Sequence, residues 1–321
     1  MRGRVPVRMR VLAALKSGPD WDSITPAEVV EGRAAQEQLR RSAFGTFITG
    51  RSHRGALGTD HTLELAGRTL RVRVHRPVGG GSGLPLIVAF HGGGFITGVP
   101  EQDDWLLSHL AAECPAVVAS VDYRLAPEHP IPAAVEDARD AVPLLVARAG
   151  EWGADGIRVA LLGSSAGATL AALTAFDIRD LRTQVLINPQ LDWTDGVFDY
   201  PSFTENADSP TATPANCRAV QRIALPEGFD ARQISPMFHD DLAGGAPTLI
   251  QSAGLDPLED QSPAYADRLR QAGVEVTLTR YPEATHGFLS MRGLIPAAGP
   301  ARAEILDHLR SHLAVRSGVR R

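Results

Sequence analysis

From Leu86 onward, short unbroken apolar runs alternate with longer stretches of helical periodicity. The runs Leu86–Phe90, Val117–Val121, Ile157–Leu162, Val185–Ile187, Thr248–Gln251 and Val274–Leu278 read as strands buried on both faces. Between them, residues 103–113, 132–149, 166–178, 263–272 and 301–314 read as helices, with Pro143 expected to kink or interrupt the second. This alternation predicts an α/β fold with a mostly parallel central sheet and helices on both faces. Upstream, Thr62–Ala66 and Thr69–His75 alternate around Gly67-Arg68, the signature of a hairpin and so of an antiparallel edge.

Two stretches fall outside this rhythm. Residues 1–50 place Ala27, Val30, Ala34, Leu39 and Phe44 at helical spacing, with Thr25-Pro26 as N-cap and first turn. Residues 192–240 are long for a connection and hold five prolines, which reads as an insertion. A single domain is expected, with a core of 55–191 and 241–315. The segments 1–50 and 192–240 form a cap that meets over the C-terminal edge of the sheet, where open α/β sheets bind ligands.

Composition narrows the function classes. A chain of 321 residues with 44% hydrophobic content can bury a full core without staples. The formal net charge of -5 gives no reason to expect a nucleic-acid partner. Arginines at both ends (2, 4, 8, 10, 316, 320 and 321) are expected to be solvated termini. The only apolar run behind the first of them, Val11–Leu15, is too short for a signal-peptide core, so the reading is cytoplasmic, with no membrane partner. Cys114 and Cys217 fit no metal spacing and are expected as core thiols; no metal and no cofactor are predicted.

The chemistry is concentrated at strand ends. Gly163-Ser164-Ser165-Ala166-Gly167 follows the run ending at Leu162 and opens a helix-forming segment. In such an elbow the central serine is held strained, and glycines flank it because a Cβ would strike the neighbouring strand or helix. Ser165 is therefore the candidate nucleophile. His91-Gly92-Gly93-Gly94-Phe95 follows another strand; three glycines there allow backbone N–H groups to face an incoming carbonyl oxygen. Gly93 and Gly94, with the Ala166 N–H, are the candidate oxyanion donors. A serine needs a base and the base an orienting acid. Asp256 and His286 each lie on a loop just beyond a strand, in the order serine, acid, histidine. Asp260 competes as the acid, Glu259 is expected to be solvated, and His91 to brace its loop. The remaining histidines are expected in surface or capping roles.

The series HGGGF at 91, YRLAPE at 123, GSSAG at 163, LDPLED at 255 and HGF at 286 resembles the hormone-sensitive-lipase-like esterases, the bacterial family IV carboxylesterases, from about residue 60 to 315. The resemblance implies an α/β-hydrolase core with a helical cap, a Ser165, Asp256, His286 triad, and hydrolysis of short to medium acyl esters without a cofactor. It also implies a supporting role for Tyr123, Arg124 and Glu128, and a possible homodimer through a sheet edge. Two positions depart from the pattern. Ser164 stands where the family usually has Asp or Thr, and Val220, Gln221, Arg222 and Ile223 stand where aromatic cap residues are expected. Ser164, Phe95, Trp193 and Phe203 are candidates for contact with a small-molecule ester, as are Ile96, Phe198 and Tyr200. Elimination, cyclisation or acyl transfer on the same scaffold is the alternative reading; a non-catalytic receptor is disfavoured by the presence of His286.

Overall fold

A computed structural model describes residues 3–15 and 18–315. Three helices come first, α1 (Val7–Leu15), α2 (Pro26–Arg41) and α3 (Ala43–Thr49). Eight strands form one sheet: β1 (Ala56–Leu65), β2 (Arg68–Pro77), β3 (Leu84–Phe90), β4 (Val117–Asp122), β5 (Ala154–Ser164), β6 (Thr183–Ile187), β7 (Thr248–Ala253) and β8 (Val276–Tyr281). Their order is β1-β2-β4-β3-β5-β6-β7-β8. The β1–β2 and β2–β4 pairs are antiparallel and the rest parallel, which is the predicted α/β arrangement. The hairpin turns at Ala66-Gly67, where Gly67 takes a φ of 76° that favours glycine.

Helices α4 (Asp104–Glu113), α5 (Ile131–Ala147), α6 (Ala166–Ala175), α9 (Gln261–Gln271) and α10 (Ala298–Leu313) cover the sheet. The alternation of side chains along β3 divides the core into two layers. Leu86, Val88 and Phe90 pack with α5 and α6, whereas Ile87 and Ala89 pack with α4 and α10. Pro143 does not interrupt α5; it lies on the exposed face, where water can take the carbonyl it leaves unpaired. The segment between β6 and β7 carries α7 (Pro201–Glu205) and α8 (Pro214–Ala224). It touches the N-terminal helices through Arg222, whose Nη2 donates to the Ile24 carbonyl at 3.1 Å.

Thr25 caps α2 as the sequence predicts, with a reciprocal bond pair to Glu28 and Pro26 in the first turn. The buried face of α2 is not the expected one: Val29 is buried, and Ala27, Val30 and Ala34 are exposed. The helix is held by polar anchors instead. Arg33 donates through Nε to the Ile96 carbonyl at 2.9 Å, pairs with Glu128 at 2.8 Å, and also reaches the Ala126 carbonyl. Arg8, placed at a solvated end by the sequence reading, donates to the Gly293 carbonyl at 3.0 Å. Arg2, Arg316, Arg320 and Arg321 lie outside the described residues. No helix among the described residues is long and apolar enough to cross a membrane.

His75 departs from the surface role expected of it. It is buried, with Nε2 3.1 Å from Asp104. Asp137 on α5 is fully buried between Arg68, at 2.6 Å, and Arg124, at 3.0 Å, and also accepts the Arg124 backbone N–H at 2.9 Å. It thereby ties the hairpin and the loop after β4 to one helix. Asp137→Ala would leave two arginines facing an unpaired buried pocket and should destabilise the fold by about 3 kcal/mol in urea denaturation; a loss under about 0.5 kcal/mol, the range of a neutral surface change, would contradict this account.

Candidate active site

The C-terminal ends of β3, β5, β7 and β8 deliver the predicted residues to one rim. Ser165 sits between β5 and α6 with φ 54° and ψ -119°, a strained conformation for any residue with a side chain. Its backbone is pinned on both sides, the N–H to the Ile187 carbonyl at 2.9 Å and the carbonyl to the Ala168 N–H at 2.9 Å. The flanking glycines are needed for contact. A Cβ on Gly163 would stand 2.2 Å from the Gly167 carbonyl oxygen, and one on Gly167 would stand 2.1 Å from that of Phe90.

Ser165 Oγ lies 2.7 Å from His286 Nε2, and His286 Nδ1 lies 2.6 Å from Asp256 Oδ2. The carboxylate fixes the tautomer: Nδ1–H donates to Asp256, so Nε2 is left to accept the serine proton. Asp256 is buried, with its other oxygen accepting the Leu258 N–H at 2.9 Å. Asn206, near the end of α7, donates to the Asp256 carbonyl at 3.0 Å and so ties the inserted segment to the acid loop. Asp260, the competing acid, is used elsewhere, accepting the Ser202 N–H at 2.8 Å. Glu259 is not solvated as expected; it is buried and pairs with Arg280, which reaches across from β8.

The glycine loop is braced from below. Tyr123 Oη donates to the His91 carbonyl at 2.7 Å, and its ring stacks on the His91 ring at 4.2 Å. The Ala126 N–H donates to the Phe95 carbonyl at 2.8 Å. His91 is buried, and burial pushes its imidazole below the usual histidine range, so it stays neutral. Gly93 has a φ of 134° and Gly94 of 62°; a Cβ on Gly94 would stand 2.8 Å from Val220 of α8. Among the described residues, the backbone N–H groups of Gly93 and Gly94 donate to no other backbone group.

Gly93, Gly94, Ser165 and His286 line a cavity of about 240 Å³. Trp21, Gln36, Thr97, Thr211, Asn216, Cys217, Val220 and Leu258 are also on its wall. Of the predicted contact residues, Ile96 is on this wall. Phe95, Trp193 and Phe203 are not: all three are buried behind it, Phe95 against Tyr123 and Trp193, and Phe203 with Val197, Cys217 and Leu258. Trp193 donates its indole N–H to Thr169 at 3.0 Å. Ser164 ends β5 as a buried residue beside Ile187 and is not on the wall either. Cys217 is an unpaired thiol pushed by burial up to about 12, which makes it inert wall material.

Comparison with known proteins identifies the family and the fold. Residues 87–290 match the Abhydrolase_3 family model, described as alpha/beta hydrolase fold. The chain is 36% identical over 264 residues to carboxylesterase NlhH of Mycobacterium tuberculosis, covering 79% of this chain and 82% of that one. It is 32% identical over 313 residues to an ethyl acetate hydrolase of Pseudomonas putida, covering 94% and 97%. Among solved structures, an ester hydrolase from the metagenome of Lake Arreo, complexed with a bipyridine phosphonate derivative, superposes with a TM-score of 0.86. It has 29% identity and covers 97% of this chain and 100% of that one.

The close contact at the elbow yields a prediction. Gly163→Ala drives a methyl group into the Gly167 backbone and should cost about 3 kcal/mol of stability, read as a drop in thermal midpoint with loss of serine reactivity. A variant that melts and reacts like the parent would show that β5 and α6 do not need their present approach.

Proposed function

We propose, for a chain that belongs to the Abhydrolase_3 family of alpha/beta hydrolases, the hormone-sensitive-lipase-like carboxylesterases, that Ser165, His286 and Asp256 are the catalytic triad of a serine carboxylesterase. The observation that carries this is the unbroken chain of hydrogen bonds from Ser165 Oγ through the imidazole to Asp256, at 2.7 and 2.6 Å. Ser165 attacks the ester carbonyl while Nε2 takes its proton. Asp256 holds the ring and stabilises the imidazolium that forms. The N–H groups of Gly93, Gly94 and Ala166 receive the oxyanion, each donor lowering the barrier by about 3 kcal/mol. The imidazolium then protonates the leaving alcohol, and a water activated by the same nitrogen cleaves the acyl-enzyme.

The wall of the cavity supports a small, mostly apolar ester at the short end of the short to medium acyl range. Ile96, Cys217, Val220 and Leu258 offer no charge, and about 240 Å³ leaves room for little more than a short ester. The names of the relatives point the same way, one being an ethyl acetate hydrolase. In this reading the segments 1–50 and 192–240 act as the cap, since Trp21 and Gln36 from the first and Asn216 and Val220 from the second line the same cavity as Ser165. The free buried thiols Cys114 and Cys217 suit the reducing interior of a cell, and an edge of the sheet, at β1 or β8, is the surface through which two copies would pair.

The test is hydrolysis of short-chain nitrophenyl esters. Ser165→Ala should lower kcat/KM by about 10³-fold or more with little change in folding. Unchanged turnover in the variant would remove Ser165 from the nucleophile's role, and an enzyme that cleaves no simple ester would favour a non-hydrolytic acyl reaction on the same residues.

A further inference from the structure

The outer face of α1 carries side chains that the fold does not use. Val5 and Met9 are buried against the core, whereas Val7, Val11 and Leu15, spaced four apart on one face, are 64%, 55% and 81% exposed. Phe44 and Phe47 of α3 are also exposed, their rings 6.5 Å apart, and the Arg8 guanidinium lies 6.0 Å from the Phe47 ring. The apolar ridge is continuous with arginines. Val7 shares a groove with Arg4, Arg8, Arg10 and Arg292, and Phe47 shares another with Arg51, Arg54, Arg292 and Arg302. Arg292 belongs to both grooves, and Glu283 is the single carboxylate among their described lining residues.

This is a basic, apolar face on a chain of net charge -5. We propose that it is a docking surface for an anionic lipid bilayer. Helix α1 lies in the plane of the interface with Val7, Val11 and Leu15 turned toward the acyl boundary, and the flanking arginines meet headgroup phosphates. Other occupants fit less well. Two copies meeting face to face on a two-fold axis would bring arginine against arginine. A soluble anion would use the arginines and leave the aliphatic ridge in water.

The interior behind α1 is consistent with such a face. Leu12, Leu39, Ile48, Leu125, Met291 and Leu294 line much of a chamber of about 500 Å³, with Arg33, Glu37, Arg40 and Asp122 also on its wall. Gln36 and Thr97, joined by a 2.5 Å hydrogen bond, line both this chamber and the cavity that holds Ser165. An ester leaving a bilayer at α1 would therefore meet a partly apolar chamber and, past Gln36 and Thr97, the cavity of the nucleophile. That consequence rests on the esterase reading, whereas the docking itself does not.

The experiment is co-sedimentation of the full chain with phosphatidylcholine vesicles, with and without phosphatidylglycerol, alongside hydrolysis of soluble nitrophenyl acetate. Binding should require phosphatidylglycerol and weaken as salt is added. Val11→Asp with Leu15→Asp should lower the partition coefficient about tenfold or more, with nitrophenyl acetate hydrolysis unchanged. Arg51→Glu with Arg54→Glu, outside α1 and on exposed side chains, should lower it by a similar factor. Equal binding to both vesicle types, binding unaffected by both variants, or release of bound protein by soluble glycerol phosphate would overturn the proposal. So would absence of vesicle binding, whether the chain stays monomeric or forms a dimer in light scattering that Val11→Asp with Leu15→Asp dissolves. Ser165→Ala should still bind vesicles, so a failed esterase assay and a failed docking assay report on different claims.

Discussion

The packing of bare backbone at the turn between β5 and α6 is the constraint on which the site depends. Gly163 and Gly167 let the strand, the helix and the end of β3 approach until a single methyl group on either would collide with a carbonyl oxygen. That approach holds Ser165 at a positive φ, which costs on the order of 1–3 kcal/mol and has to be maintained by its surroundings. The maintaining groups are visible: the Ile187 carbonyl, the Ala168 N–H and the buried alanine face of α6. The result is a hydroxyl at the end of a strand, at the start of a helix whose first N–H groups have no partner within it.

The same economy governs the parts around it. The side chains of the YRLAPE motif have three structural tasks. Tyr123 supports the His91 carbonyl, Arg124 joins Asp137 to the sheet, and Glu128 receives Arg33 from α2. The loop that presents Gly93 and Gly94 is thus fixed to the N-terminal helices by the bonds that also close the site, with Arg33 reaching the Ile96 carbonyl directly. On the opposite side Asn206 holds the Asp256 loop. Both segments read here as the cap therefore touch the loops that carry the candidate catalytic groups, through Arg33 in the first and Asn206 in the second.

Strands and strand-end loops were legible in the sequence because burial on both faces demands unbroken apolar runs, and because the elbow needs glycine at fixed offsets. The acid was legible by its distance from β7, and the geometry favours Asp256 over Asp260. The cavity wall was not legible. Trp21, Gln36, Thr211, Asn216 and Leu258 come from separate segments and share no pattern, so only the fold brings them together. Phe95, Trp193 and Phe203 were chosen for size, and size is what buried them in the packing behind the wall. The face of α2 was misjudged because arginine hydrogen bonds, not apolar periodicity, hold it. The outer face of α1 escaped notice for a related reason: a search for a long apolar run passes over three apolar residues placed four apart among arginines.

The central claim is that a hydroxyl, an imidazole and a carboxylate act together beside a ring of glycine amides. The most direct measurement is a crystal structure of the enzyme reacted with a short-chain phosphonate. The account predicts a single covalent bond to Ser165 Oγ, with one phosphoryl oxygen about 3 Å from the Gly93, Gly94 and Ala166 nitrogens. Phosphonylation of another residue, or a phosphoryl oxygen turned away from those amides into solvent, would contradict it.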